Sequence, residues 1–402
     1  MMEMNQEQDT GTQTGGMIPP KELLQATDAY EWFKEMRKVS PVRYDEERQT
    51  WDVFCYEGAQ KTLTDYKTFS SQMGGGEISL LGMDPPKHKL YRSIVAQAFT
   101  PISIEKMEPR IEQIARELLS ARVARGEMDI IADLAFPLPV IVIAEMLGVP
   151  AEDRELFKKW SDALVADVDI AKGQTAMELL ERKQKVAEDL YHYFGSVVEE
   201  HRKHPKDDLI SALLQARIEE QSLDEQALLS FCLLLLVAGN ETTTNLIGNA
   251  MLTFLERPQL MEKLRADRSL LPTAIEEVLR FRSPVQSLSR RVTTDTVLNG
   301  QQLKAGDRVI IWLGSANRDE RQFENADQFM YKRHPNRHIA FGHGIHFCLG
   351  AALARLEARV ALHTLLQQAP TMALRDSSTI QPLQSTFVYG YPAIPVTFNP
   401  YV

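Results

Sequence analysis

The chain is poor in three things, and each shortage excludes something. It has only three cysteines in 402 residues, Cys55, Cys232 and Cys348. They are too few and too scattered for a disulfide framework or a structural zinc site, so a cytoplasmic location is the expectation. It lacks a surplus of positive charge: 45 Lys and Arg against 55 Asp and Glu leave a net charge of −10, which argues against a nucleic-acid binder. It also lacks a long unbroken apolar run. The most apolar stretch, "LLSFCLLLLVAG" from Leu228 to Gly239, is twelve residues long and runs into Asn240 and Glu241. A bilayer needs roughly 20 such residues, so the stretch reads as a buried helix, with no stable membrane insertion expected. The opening "MMEMNQEQDTGTQTGG" has neither the basic nor the apolar region of a signal peptide, and residues 1–20 read as a disordered polar tail.

What remains is ordinary for a globular protein, with 44% hydrophobic and 25% charged residues. The length allows a core deep enough to hide a cofactor. Helical periodicity dominates, in "SIEKMEPRIEQIARELLSARVA", "AMELLERKQKVAEDLYHYFGSVVEEHRK", the Leu228 region, "SLLPTAIEEVLRFR" and the stretch after Cys348. Strand character is confined to short segments such as "TWDVFCY" and "DRVIIWLGSAN". Turn signals stand at "MDPPKH", "FPLPV", "VPAED" and "RHPNRH". With no repeat and no linker, residues 21–402 read as a single domain, mainly α with a small β lobe.

One cysteine stands out. In "FGHGIHFCLG", Phe341 to Gly350, Cys348 lies between glycines and just before a helical pattern. Unpaired N–H groups and the positive end of the helix dipole would favour its thiolate there, as a nucleophile or as a metal ligand. His346, two residues earlier, is poorly placed to serve as the base of a nucleophile. The C-x-x-C-H pattern of an attached c-type haem is absent. The glycines would let the backbone approach a flat object closely.

The loop "FGHGIHFCLG" resembles the haem-binding loop of the cytochrome P-450 family, F-x-x-G-x-H/R-x-C-x-G, met by Phe341, Gly344, His346, Cys348 and Gly350. The resemblance implies a triangular-prism fold in which Cys348 is the thiolate ligand of the iron of haem b. Three further stretches resemble the same family. "AGNETT" implies a helix that loosens beside the haem, with Glu241 and Thr242 relaying protons to dioxygen and Ala238 and Gly239 leaving room for O2 and substrate. "EEVLR" implies a structural pair, Glu277 and Arg280, completed by Arg333. "DPPKHKLYR" implies that His88 and Arg92 bind haem propionates, with Arg290 and His346 at two further propionate-binding positions.

The implied activity is that of a haem-thiolate monooxygenase, similar to Bacillus-type hydroxylases, inserting one atom of O2 into a C–H bond of an apolar steroid, terpenoid or fatty acid. Electrons would come from NAD(P)H indirectly, through a separate ferredoxin or flavodoxin and its reductase. A peroxide-driven peroxygenase is an alternative, disfavoured by the presence of both Glu241 and Thr242; a non-catalytic haem sensor is another. By the same resemblance the substrate pocket is lined by Ile78, Leu81, Leu234, Val237, Ala238, Val285, Gln286, Phe387 and Val388, with Gln286 as the one polar group to orient a carbonyl or hydroxyl. Lys87, Lys89, Arg92, Arg337, Arg355 and Arg359 are expected to form a basic patch on the cysteine side, suited to an acidic electron donor.

Overall fold

A computed structural model describes residues 19–26, 28–73, 79–165, 175–218, 220–369 and 371–398. Most of the polar tail and Ile78 lie outside the described residues. The fold is mainly helical with small sheets.

The central helix, Glu225–Leu255, decides the architecture. It starts at Asp224, whose side chain accepts the Ala227 N–H, satisfying one of the orphan donors of a helix start. By length and hydropathy it would pass for a membrane span. Part of its apolar surface is covered by the helices Pro137–Met146, Arg154–Val165, Ala176–Lys203, Leu271–Phe281 and Ala351–Gln368, which pack around it. Gly248 lets a further segment, the helical turn Ile131–Ala135, come close, because a Cβ there would lie 2.6 Å from Ile131 Cδ1.

The sequence expectations for helices hold with three differences. "SIEKMEPRIEQIARELLSARVA" is divided into Pro101–Glu105 and Glu108–Val123, the second restarting at Pro109 in its first turn. "FPLPV", read as a turn, opens the helix Pro137–Met146. Prolines are tolerated there because first-turn N–H groups have no helical partner to lose. The central helix runs unbroken through "AGNETT" instead of loosening.

The two strand-like segments do pair with each other. Thr50–Val53 runs parallel to Arg308–Trp312, and both belong to a five-stranded sheet completed by Val42–Asp45, Ser287–Val292 and Phe69–Ser70. Each strand is shorter than its sequence signal: Tyr56 already opens the helix Tyr56–Thr64, and Leu313–Ala316 is a helical turn. A separate hairpin, Thr296–Leu298 with Gln301–Leu303, turns on Asn299 and Gly300, both at positive φ, which the Asn-Gly pair accommodates readily.

Beneath the sheet lies a buried ionic cluster. Arg280 has no exposed surface and bonds Glu277 through Nε (2.9 Å) and Nη2 (2.7 Å). Its remaining N–H groups reach the carbonyls of Asn317, Ala326 and Gln328. Arg333 completes the group, with Nε 3.0 Å from Glu277 Oε2. Replacing Glu277 with Ala leaves two guanidinium groups buried without a carboxylate, a loss of about 3–5 kcal/mol. Chemical denaturation of Glu277→Ala should show that loss together with poor cofactor retention, and a stability within about 1 kcal/mol of the parent would contradict the structural role of the cluster.

Candidate functional site

The Cys348 loop is built backward from the helix Ala351–Gln368, whose N-cap is Gly350. The Cys348 N–H donates to the Phe341 carbonyl at 2.9 Å, closing the loop on itself. Gly342 and Gly344 both have φ of +72°, the left-handed region that glycine enters without penalty. Gly344 also needs its missing side chain, since a Cβ would lie 2.7 Å from the Leu63 carbonyl. Its close neighbour is therefore the helix Tyr56–Thr64, whereas nothing lies within 4 Å of the Cβ position of Gly350.

The Cys348 side chain is exposed, yet the protein surrounding it pushes the thiol above its ordinary range. The Gly350 N–H, Arg92 and Arg355 pull the other way and favour the thiolate. A sulfur held out from a loop, with an N–H and two guanidinium groups favouring its charge, is a donor suited to a metal cation. Coordination would supply the remaining stabilisation, because a coordinating thiol gives up its proton.

Beside the loop four nitrogen-bearing side chains converge, as expected for His88, Arg92, Arg290 and His346. The His88 and His346 rings are 4.2 Å apart. Arg92 Nη2 donates to the Phe347 carbonyl at 2.5 Å. Burial pushes His346 down to about 3, helped by His88, Arg290 and Arg92, and pushes Arg290 down to about 10 against a weak opposing pull from Asp84. The Nε2 atoms of both histidines are buried without a partner. The Arg290 guanidinium bonds only the Ser289 carbonyl among the described residues, and Asp84 is engaged by Ser70 and by the Ser71 N–H. Buried polar nitrogen atoms with no partner carry a free-energy cost. A ligand bearing two carboxylates beside a metal held by Cys348 would remove it, so these residues fit haem.

On the central helix, Leu234, Ala238, Glu241 and Thr242 share one face, at the spacing of successive turns. Ala238 is exposed although Leu236 and Asn240 on either side of it are fully buried, so this face borders open space. Leu234, Val237, Glu241 and Thr242 are half-buried. Thr242 Oγ1 donates to the Ala238 carbonyl at 2.8 Å. Gly239 does not share the opening, because its Cβ position is 3.4 Å from Ile143 Cδ1. Room along this face comes from Ala238.

The other pocket candidates divide. Leu81 and Phe387 are exposed apolar side chains, and Val285 is half-buried. Val388 is 3% exposed and bridges to Val285. Gln286 is displaced from its expected role: its amide nitrogen donates to the Ser283 carbonyl (2.7 Å) and the Tyr30 hydroxyl (3.3 Å). Its Oε1 occupies the space that a side chain at Gly314 would need. The amide is a core group satisfied by other elements, which the sequence position could not reveal.

The expected basic patch is also partly neutralised. Arg355 forms a bidentate pair with Glu276 (2.6 and 2.9 Å) and Arg359 one with Glu108 (2.9 and 2.8 Å). Lys87, Lys89 and Arg337 remain exposed. Glu276 is a residue that motif reading missed. Burial alone would raise its carboxyl, but hydrogen bonds from Arg355 and His338 outweigh this and hold it at about 2. Arg355 in turn stacks 4.4 Å over the Phe341 ring. Glu276 therefore supports the cysteine loop from behind, while its neighbour Glu277, one residue and about 100° further round the helix, serves the ionic cluster. The doubled acid in "EEVLR" was the available signal.

A second missed residue is Glu357, 1% exposed with an unpartnered Oε1. Burial raises its carboxyl to about 8, opposed by a hydrogen bond from Thr243, so it is largely protonated at neutral pH.

Two measurements test the site. Cys348→Ser should lose the red-shifted Soret band that a thiolate gives in the reduced carbon monoxide adduct, and a parent-like band in that variant would refute the ligand assignment. Glu357, with its folded pKa raised, contributes stability at low pH that is lost as pH rises from the ordinary carboxylate range through about 8. Between those two limits the loss amounts to at most about 1.4 kcal/mol per pH unit. Glu357→Gln should flatten the decline seen by thermal melting between about pH 5 and 8; an unchanged slope would show that the carboxyl ionises freely in the folded state.

Comparison with known proteins agrees with this geometry. Residues 51–378 match the family model for cytochrome P450. The putative cytochrome P450 YjiB of Bacillus subtilis is 46% identical over 378 residues, spanning 93% of this chain and 95% of its own. Substrate-free CYP109E1 from Bacillus megaterium superposes with a TM-score of 0.90 at 45% identity, covering 93% of this chain and 99% of that one. The same protein in complex with corticosterone gives 0.88, again at 45% identity, over 92% and 98% of the two chains. A match over most of the length, with the cysteine loop and the nitrogen-bearing cradle beside it in place, makes the chain a member of the cytochrome P450 family of monooxygenases.

Proposed function

We propose that this monooxygenase inserts one atom of O2 into a C–H bond of a mainly apolar small molecule of steroid size and character, with terpenoids and fatty acids as the next classes. The observation that carries the choice is that a relative 45% identical over nearly its whole length has been crystallised with corticosterone. The side chains bordering the open face of the central helix, Leu234, Val237 and Ala238, are apolar and suit such a ligand.

In this reading Cys348 holds the haem iron, and His88, Arg92, Arg290 and His346 hold the propionates. Haem supplies the activation of O2, for which an electron-rich thiolate favours O–O cleavage. The chain supplies position, dryness and protons. Ala238 leaves space beside the helix. Thr242 donates to the Ala238 carbonyl, which leaves its oxygen lone pairs able to accept a hydrogen bond from water or ligand. Glu241, one residue away, is the exchangeable acid that resupplies the proton. Electrons arrive in the cytoplasm from NAD(P)H through a reductase and a separate ferredoxin or flavodoxin, for which exposed Lys87, Lys89 and Arg337 offer complementary charge.

The test is a titration of the haem spectrum with panels of steroids, terpenoids and fatty acids, followed by NAD(P)H-driven turnover with a surrogate ferredoxin system. Steroids should give the strongest spectral shift, with Kd in the micromolar range, about −8 kcal/mol, and a hydroxylated product. Shifts confined to fatty acids or to polar ligands would overturn the substrate class while leaving the monooxygenase activity untouched.

A further inference from the structure

Asn240 is an expensive residue for its place. It sits in the interior of the central helix with no exposed surface, where asparagine is a poor helix former and a buried amide without partners costs about 1–3 kcal/mol. Its neighbour Gly239 weakens the same turn by about 1 kcal/mol relative to alanine. The structure supplies the amide with partners through one polar network. Asn240 Nδ2 donates to Ser161 Oγ at 2.6 Å, and Ser161 is 1% exposed on the helix Arg154–Val165. Thr244 Oγ1 shares its single proton between Asn240 Oδ1 at 3.3 Å and the Ala135 carbonyl at 3.1 Å.

The surroundings of this network are apolar. Phe157 and Ala163 on the Ser161 helix and Leu236 on the central helix are all buried, and apolar packing alone specifies register weakly, because one aliphatic contact can replace another. A directional amide–hydroxyl bond cannot slide. It fixes the rotation of the central helix relative to the helix carrying Ser161, at the residue immediately before Glu241 and two before Thr242.

We infer that Asn240 is a positioning residue for oxygen activation: through Ser161 it clamps the glycine-weakened turn, and so aims Glu241 and Thr242 at the space beside Ala238. The inference rests on the reading of Glu241 and Thr242 as the proton path. Loosening the clamp should leave the cofactor bound and the fold intact. Protons would then arrive out of step with electrons, and reducing equivalents would leave as peroxide.

The experiment compares Asn240→Leu, Ser161→Ala, their double variant, Thr242→Ala and Tyr191→Phe in the haem-loaded enzyme with a turned-over substrate. Tyr191→Phe removes a different helix-to-helix bond, from Tyr191 to Ser230 on the same central helix (2.9 Å), and serves as the structural control. The readouts are product and peroxide formed per NAD(P)H, the thiolate carbon monoxide band, and Tm. Asn240→Leu and Ser161→Ala should each lower product per NAD(P)H at least about twofold. The double variant should be no worse than the poorer single one, since both remove the same bond. The carbon monoxide band should be unchanged throughout, and Tyr191→Phe should couple like the parent. Parent-like coupling in both single variants, with Thr242→Ala impaired, would overturn the clamp and spare the relay. An equal loss in Tyr191→Phe would show general loosening and also overturn it. Parent-like coupling in Thr242→Ala would remove the proton path itself, and this inference with it.

Discussion

A guanidinium group that reaches no water must find an acceptor for each of its five N–H donors, and in this protein Arg280 does so. Glu277 takes two, and the carbonyls of Asn317, Ala326 and Gln328 take the rest. Those three carbonyls belong to the irregular chain between the sheet and the cysteine loop. Such chain has few regular backbone bonds of its own, so a single buried side chain gathers what strands or helices would otherwise organise. Arg333 brings the next residues onto Glu277, and Asn317 Oδ1 accepts the Ile339 N–H. By Phe341 the path into the cysteine loop is set.

Two opposite treatments of charge follow on either side of that loop. Behind it the guanidinium groups have carboxylate partners: Arg355 pairs with Glu276, which His338 also bonds, and Arg359 takes Glu108. In the cradle beside it the reverse holds. His88, His346 and Arg290 are kept among protein atoms with polar nitrogen atoms left unpartnered among the described residues. The paired set makes a rigid backing that needs no ligand. The unpaired set is a standing cost that an anionic cofactor removes, which couples cofactor binding to stability.

The central helix combines a stabilising and a reactive role in one element. Part of its apolar surface is covered by neighbouring helices, which secures its position. Its polar residues interrupt that surface at one turn, where Thr242 bonds back to Ala238 and Asn240 reaches out to Ser161.

The sequence by itself determined the parts whose signal is local. Glycine spacing and one cysteine marked the loop at 341–350, because left-handed backbone and a thiolate at a helix start are properties of consecutive residues. Periodicity marked the long helices for the same reason. The Glu277–Arg280 pair was legible at i, i+3, and resemblance added the four cradle residues. What local pattern could not carry was which way a side chain turns and what it meets. Gln286 looked like a polar group for a ligand and is spent on Ser283 and Tyr30; Arg355 and Arg359 looked like free charges and are paired with Glu276 and Glu108. Glu276, Glu357 and Ser161 carried no mark at all. Their roles come from partners 79, 114 and 79 positions away, at Arg355, Thr243 and Asn240. Only packing brings such partners together, since hydrogen bonding and burial depend on distance in space and are blind to separation along the chain.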